Sequence, residues 1–181
     1  VEVWNGRWNP ANEKSLEIWH NLLSAGHRSI AFAATDLHGG KNLGIPCNAI
    51  WGEELSQKSL NLSMHKGNSY LVQDPGVNMD FFAYCTKDTS KIYHMGDQLI
   101  RHSSVKASFS ANRDGHVILL DQNGKLHEQE VRAGEKYSLE VPDNSFFIRV
   151  ELRDANNNMI ALSNPIYCCQ LSTTFPLIQK N

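Results

Sequence analysis

The stretch Ser29-Ile30-Ala31-Phe32-Ala33-Ala34-Thr35-Asp36-Leu37-His38-Gly39-Gly40 decides how this chain is read. Its first six residues are a short, nearly all-apolar run with small side chains, which suits a strand buried on both faces of a parallel sheet. The next six are polar and glycine-rich. In α/β barrels and open sheets, chemistry gathers in the loop that follows a strand's C-terminal end. Asp36 and His38 stand in that loop. On an extended segment residues two apart point the same way, so carboxylate and imidazole can converge on one ion. Both donors suit zinc, manganese or iron, and Gly39-Gly40 lets the backbone turn just beyond them. Taken alone, the pair reads more readily as a turn cap or a surface polar pair than as a metal site.

Upstream, Val1 to Trp4 alternates apolar and polar residues and meets a turn at Asn5-Gly6. Asn9-Pro10 offers a helix cap followed by proline at the first helical position. Leu16, Trp19, Leu22 and Leu23 recur at helical spacing and Gly26 stands where a terminal glycine belongs, so 11–25 is expected to be an amphipathic helix. Strand, turn, helix, strand is a βαβ unit. Downstream, Ile45 to Trp51 is a candidate strand, and Ser56 caps a candidate helix that stops at Lys66-Gly67. From Ser69 onward short strand-like runs follow one another, at 70–72, 80–85, 105–111, 117–122, 126–132, 137–141, 146–153 and 159–162. Asn123-Gly124 is a hairpin signal between two of them. Short strands at this spacing predict an antiparallel β-sandwich. The expected fold class is therefore α/β plus all-β, with an α/β part over 1–90 and the sandwich over 91–181.

The order of these motifs resembles the PHP superfamily, in particular the group named for the CehA and McbA proteins. Val1-Glu2-Val3-Trp4-Asn5-Gly6, the helix ending in Leu22-Leu23-Ser24-Ala25-Gly26, and the strand closing on Thr35-Asp36-Leu37-His38-Gly39 carry the likeness. Leu43-Gly44-Ile45-Pro46, Lys66-Gly67, Gln122-Asn123-Gly124, Phe147-Ile148-Arg149-Val150-Glu151 and Ser163-Asn164-Pro165-Ile166-Tyr167 extend it over nearly the whole chain. The resemblance implies that 1–90 is the C-terminal part of a distorted (β/α) barrel with a metal cluster at its strand ends. It implies a phosphoesterase, with divalent zinc, manganese or iron ions stabilising the developing charge. Asp36 and His38 match the family's last ligand pair; Glu2 and Asn5 match a motif near the site and are not assigned as ligands. The family's H-x-H, its middle glutamate and a further histidine precede the E-V-W-N-G segment and have no counterpart here. Thr35 stands where a serine is usual. The isolated chain is accordingly expected to lack turnover and to bind metal weakly, with an N-terminal half of the same protein as the expected partner and a phosphoester as the parent's substrate.

Composition sets the outer limits. Across 181 residues, 41% are hydrophobic and 20% charged, enough for an ordinary core. With a net charge of −2 and scattered cations, a nucleic-acid groove is not expected. No apolar run is long enough to span a bilayer. Cys47, Cys85, Cys168 and Cys169 form no C-x-x-C pair and read as free thiols; the compartment stays open. The chain opens on strand-like residues without Met or signal peptide, so an upstream segment is expected in the parent. His65 reads as a helix-end cation and His116 and His127 as surface residues. Glu128 and Glu130 suit a solvated strand face, Trp4, Trp8, Trp19 and Trp51 can stack on a ligand but more commonly pack a core, and Ser110 and Ser163 lack an identifiable base. The competing reading is a noncatalytic module whose β part docks a carbohydrate, a protein or its own catalytic half.

Overall fold

The structure, a computed structural model, describes residues 1–39 and 43–170. It opens with strand β1 (Glu2–Asn5), helix α1 (Pro10–Ser24) and strand β2 (Phe32–Ala34). Asn9 accepts the backbone N–H groups of Ala11 and Asn12, and Pro10 opens the helix, so α1 starts where its orphan donors find an acceptor. It ends at Ala25, with Gly26 at φ +89°. The two strands pair in parallel, which is the βαβ unit expected from sequence.

That unit does not continue into a barrel. The expected (β/α) barrel over the first part of the chain is corrected here: two helices accompany fourteen strands among the described residues, and the larger sheets are mostly antiparallel. The physical reason lies at the far edge of β2. The Ala33 N–H donates to Asn48 Oδ1 at 2.8 Å, and Asn48 Nδ2 donates to the Ala33 carbonyl at 2.8 Å. Asn164 does the same for Ala31, at 2.8 and 3.2 Å. A side-chain amide offers one acceptor and two donors. These two asparagines therefore satisfy the edge that a further parallel strand would need.

The chain continues through β3 (Cys47–Ile50), α2 (Gln57–Lys66), β4 (Ser69–Val72), β5 (Met79–Cys85), β6 (Asp88–His94), β7 (Gln98–Arg101), β8 (Val105–Ala111) and β9 (Gly115–Asp121). It closes with β10 (Gly124–Val131), β11 (Lys136–Val141), β12 (Phe147–Arg153), β13 (Met159–Ser163) and β14 (Ile166–Gln170). The large sheet runs β10-β9-β12-β13-β4-β3, with β14 joined to β12 and β7 joined in parallel to β14. The small sheet is β11-β8-β5-β6. Asn123 occupies the β9–β10 tip and Gly124 opens the returning strand. Val105, Ala107 and Phe109 of β8 face Val117 and Leu119 of β9 across one apolar core, as in a sandwich. β3 and β4, from the first half of the chain, lie in the large sheet, and β5 and β6 in the small one.

β12 is buried along its whole length, on both faces. Ile148, Val150 and Leu152 enter the sandwich core. Phe147 joins Trp4, Trp19, Leu23, Leu71 and Leu162 in a second core beneath α1. The other residues on that face are charged: Arg149, Glu151 and Arg153. Arg149 Nη1 donates to Glu151 Oε1 at 2.7 Å and Arg153 Nε to Glu151 Oε2 at 2.8 Å. Arg153 then reaches Glu13 of α1 at 2.6 and 3.1 Å, while Arg149 Nε and Nη2 lie 3.3 and 3.2 Å from His20 Nδ1. The guanidinium groups also lie over Trp19 and Trp8. Burial alone would raise the Glu151 pKa, but the two arginines outweigh it and hold the carboxyl below its ordinary range.

Removing the shared carboxylate leaves the buried Arg149 without an anion and Arg153 with Glu13 alone. Glu151→Ala is expected to cost about 3–5 kcal/mol, read from urea unfolding; a loss below about 1 kcal/mol would contradict the network's role. His20 gives a pH signature. Burial, then Arg149, lower its pKa, with Glu151 and Asp121 pulling the other way. Because the folded value lies below the unfolded one, stability is complete above pH 6.5 and declines as pH falls beneath it. His20→Gln should flatten the part of the stability curve between pH 6.5 and the carboxylate range, and an unchanged slope would reject the assignment.

Candidate functional site

β1 and β2 end side by side, Asn5 opposite Ala34 and the Gly6 N–H on the Ala34 carbonyl at 2.9 Å. The loop from Thr35 leaves at this end. Asp36 is at φ +50°, a left-handed conformation that aspartate tolerates better than most residues, and Gly39 follows at +73°. Gly40 lies outside the described residues.

The structure brings Asp36 and His38 together, but not through the extended segment expected from D-x-H spacing. The left-handed turn at Asp36 does it. His38 Nδ1 lies 2.9 Å from the Asp36 carbonyl and 3.4 Å from Asp36 Oδ1. With Nδ1–H donating to that carbonyl, Nε2 carries the lone pair, which is the form of histidine that binds metals. The carboxylate meanwhile faces the Nδ1 edge, so in this rotamer the two groups do not aim at one ion. Their side chains are 82% and 52% exposed for His38 and Asp36, so neither is locked. Among the described residues no group of three or more His, Cys, Asp or Glu is placed to hold a metal. Two ligands fall short of the three or four of a stable zinc site.

The remaining candidates fall elsewhere. Asn5 Nδ2 donates to Glu2 Oε1 at 2.8 Å, tying the strand's own side chains together. His65 is in the last turn of α2. His127 Nε2 lies 2.9 Å from the Glu140 carbonyl on the sandwich, and His116 is half-buried on β9. Glu128 pairs with Lys125. Ser163 Oγ accepts the Val150 N–H, a structural bond in the core. Trp4 and Trp19 are core residues, Trp8 packs edge-on against Trp4, and Trp51 is 63% exposed. No helix among the described residues is long and apolar enough to cross a membrane.

The four cysteines are free. Cys168 is buried, and burial pushes its thiol up to about 12, so it is no nucleophile at neutral pH. Cys169, on the other face of β14, is only half-buried, matching the alternation expected of a vicinal pair on a strand.

Sequence reasoning allowed Trp51 a stacking role but did not locate the groove that it borders. A groove of about 580 Å³ opens at the end of the small sheet, bordered by Trp51, Tyr70, Asp80, Phe82, His94 and Asn112. Trp51 stacks on His94 with ring centroids 5.0 Å apart and planes 18° from parallel. The only signal available was the tryptophan at the end of a candidate strand, which suits a core equally well. Searches against family models, characterised proteins and solved structures find no match to this chain.

Alkylation of the native protein at pH 8, followed by mass spectrometry, should leave Cys168 unmodified until the chain is unfolded. Labelling of Cys168 in the folded state would show that the β12–β14 region opens readily.

Proposed function

We propose that this chain is the C-terminal part of a metal-dependent phosphoesterase, to which it supplies Asp36, His38 and a firmly attached β-sandwich. The observation that carries the reading is the loop at the C-terminal end of the parallel β1–β2 pair, where His38 has Nδ1 tied back and Nε2 open to solvent. The succession of the Glu2–Gly6 segment, the helix and the Thr35–Gly39 loop supports it by resemblance. Among the described residues β1 pairs only with β2, and Asn12 of α1 holds both backbone groups of Asn5, at 3.0 and 3.1 Å. An N-terminal half of the same protein is the partner that this reading calls for, supplying the other ligands.

Zinc, manganese or iron bound there would supply Lewis-acid chemistry for hydrolysis of a phosphoester. The chain's own residues hold and neutralise. His38 offers Nε2, and Asp36 offers negative charge once its carboxylate turns from the Nδ1 edge, a motion that its exposure permits. The backbone carbonyl of Asp36 fixes the histidine tautomer. A noncatalytic binding role is favoured by a different observation, the open groove beside Trp51.

Calorimetric titration of the isolated chain with zinc or manganese should give no stoichiometric binding at micromolar concentration. In the full-length parent, Asp36→Asn and His38→Ala should each lower phosphodiester turnover by at least about 100-fold. His127→Ala, on the sandwich, should leave it unchanged. Normal turnover in both loop variants would overturn the metal assignment.

A further inference from the structure

Four rings run in succession from the end of β3 across the outer face of the small sheet. Trp51 lies on His94, His94 is 6.2 Å from Phe82, and Phe82 is 6.4 Å from Tyr84, all centroid to centroid. The alternation of β5 puts Met79, Phe81, Ala83 and Cys85 inside and Asp80, Phe82 and Tyr84 outside, so the stripe belongs to the solvent face. Trp51 is held in place by its backbone: its N–H donates to the Asn68 carbonyl at 2.9 Å, and Asn68 Nδ2 binds the Met95 carbonyl at 2.6 Å. One face of its indole rests on His94 and most of the ring is exposed. Ile92 beside it is 45% exposed.

Polar groups without partners stand among these rings. Asp80, Ser110 and Asn78 line the groove, and their side chains make no hydrogen bond with a described residue. No lysine or arginine lines it. Of the cations on neighbouring strands, Lys91 lies over the Tyr93 ring and Lys106 on Glu140 at 3.0 Å, while Lys136, opposite Ser110 on β11, is exposed and outside the lining.

We infer that this groove and aromatic stripe bind a neutral, polyhydroxylated ligand, namely an oligosaccharide. Exposed flat rings offer apolar platforms to the C–H faces of sugar rings, and the unpartnered carboxylate, hydroxyl and amide accept and donate hydrogen bonds to sugar hydroxyls. The volume falls within the roughly 300–1,000 Å³ of small-molecule sites. Charge separates this ligand from others that stack. A single-stranded nucleic acid also uses aromatic platforms, but its phosphates need a cationic track. An anionic membrane surface needs the same. Here the lining carries one carboxylate and no cation, so it offers neither of them a cationic track and suits a neutral ligand. The inference does not rest on the metal reading and survives its failure.

The test is affinity electrophoresis of the chain through gels containing hydroxyethylcellulose, xyloglucan, galactomannan, laminarin or soluble starch, with oligothymidylate as the anionic stacking competitor. At least one neutral polysaccharide should retard the protein. Trp51→Ala should weaken that retardation at least about tenfold, and Asp80→Ala should weaken it measurably. Phe146→Ala, an exposed ring outside the groove, should leave it unchanged. Matching melting temperatures for the three variants separate lost binding from lost fold. Absence of retardation by every neutral polysaccharide, retardation that survives Trp51→Ala, or tighter binding of oligothymidylate would each overturn the proposal.

Discussion

The arrangement hangs on the buried Arg149–Glu151–Arg153 ladder and the two residues of α1 that close it, Glu13 and His20. A central strand with charges on one face has to hide them under a cover that answers each one. The arithmetic of the cover is specific. Glu13 and His20 are seven residues apart, about 10.5 Å along a helix. Arg153 and Arg149 are four apart, about 13 Å along a strand. The helix therefore runs opposite to β12, and sliding it by one residue would misplace both contacts together. With His20 neutral, two arginines meet two carboxylates and the formal charges cancel.

Such a ladder contributes little net stability, because desolvation offsets most of its attraction. The apolar contacts of Trp4, Trp19, Leu23 and Phe147 supply the driving force for docking. What the ladder adds is register. Apolar surfaces slide past one another at modest cost, whereas a guanidinium displaced from its carboxylate is left charged and dry. The orientation of α1 fixes β1 and β2 in turn, and with them the direction in which the Thr35–Gly39 loop leaves the molecule.

Much of the framework was legible in the sequence because its signals are local. Asn9 with Pro10, and Ser56 with Gly67, set both helices to within about one residue. β8 and β11 announced themselves by alternation. β6 did not: Asp-Thr-Ser-Lys-Ile-Tyr-His buries only Tyr93, and an edge strand with one inward residue has no periodic signal. The barrel expectation failed for a related reason. The apolar run at 29–34 told of burial but not of what lies beside it, and the partners that stop the sheet, Asn48 and Asn164, are 15 and 133 residues away from the alanines they bind. The proximity of Asp36 and His38 was legible, while the left-handed turn that produces it was not.

The two asparagines explain how a short parallel pair can sit on an antiparallel sandwich without recruiting more strands. Asn164 binds Ala31 and also donates to Ser69 in β4, at 3.0 Å to its carbonyl and 3.1 Å to its hydroxyl. Asn48 lies within β3 itself. Each amide thus serves as a one-residue strand, bonded on one side to β2 and rooted on the other in the large sheet. A buried backbone group left without a partner costs about 1–3 kcal/mol, so this stitching removes any drive for β2 to accept a neighbour at that edge. Asn12 of α1 makes the same pair of bonds to β1, accepting the Asn5 N–H at 3.0 Å and donating to its carbonyl at 3.1 Å. The two-stranded pair is thus held by an asparagine amide on each side, and the loop that carries Asp36 and His38 leaves from its Asn5–Ala34 end.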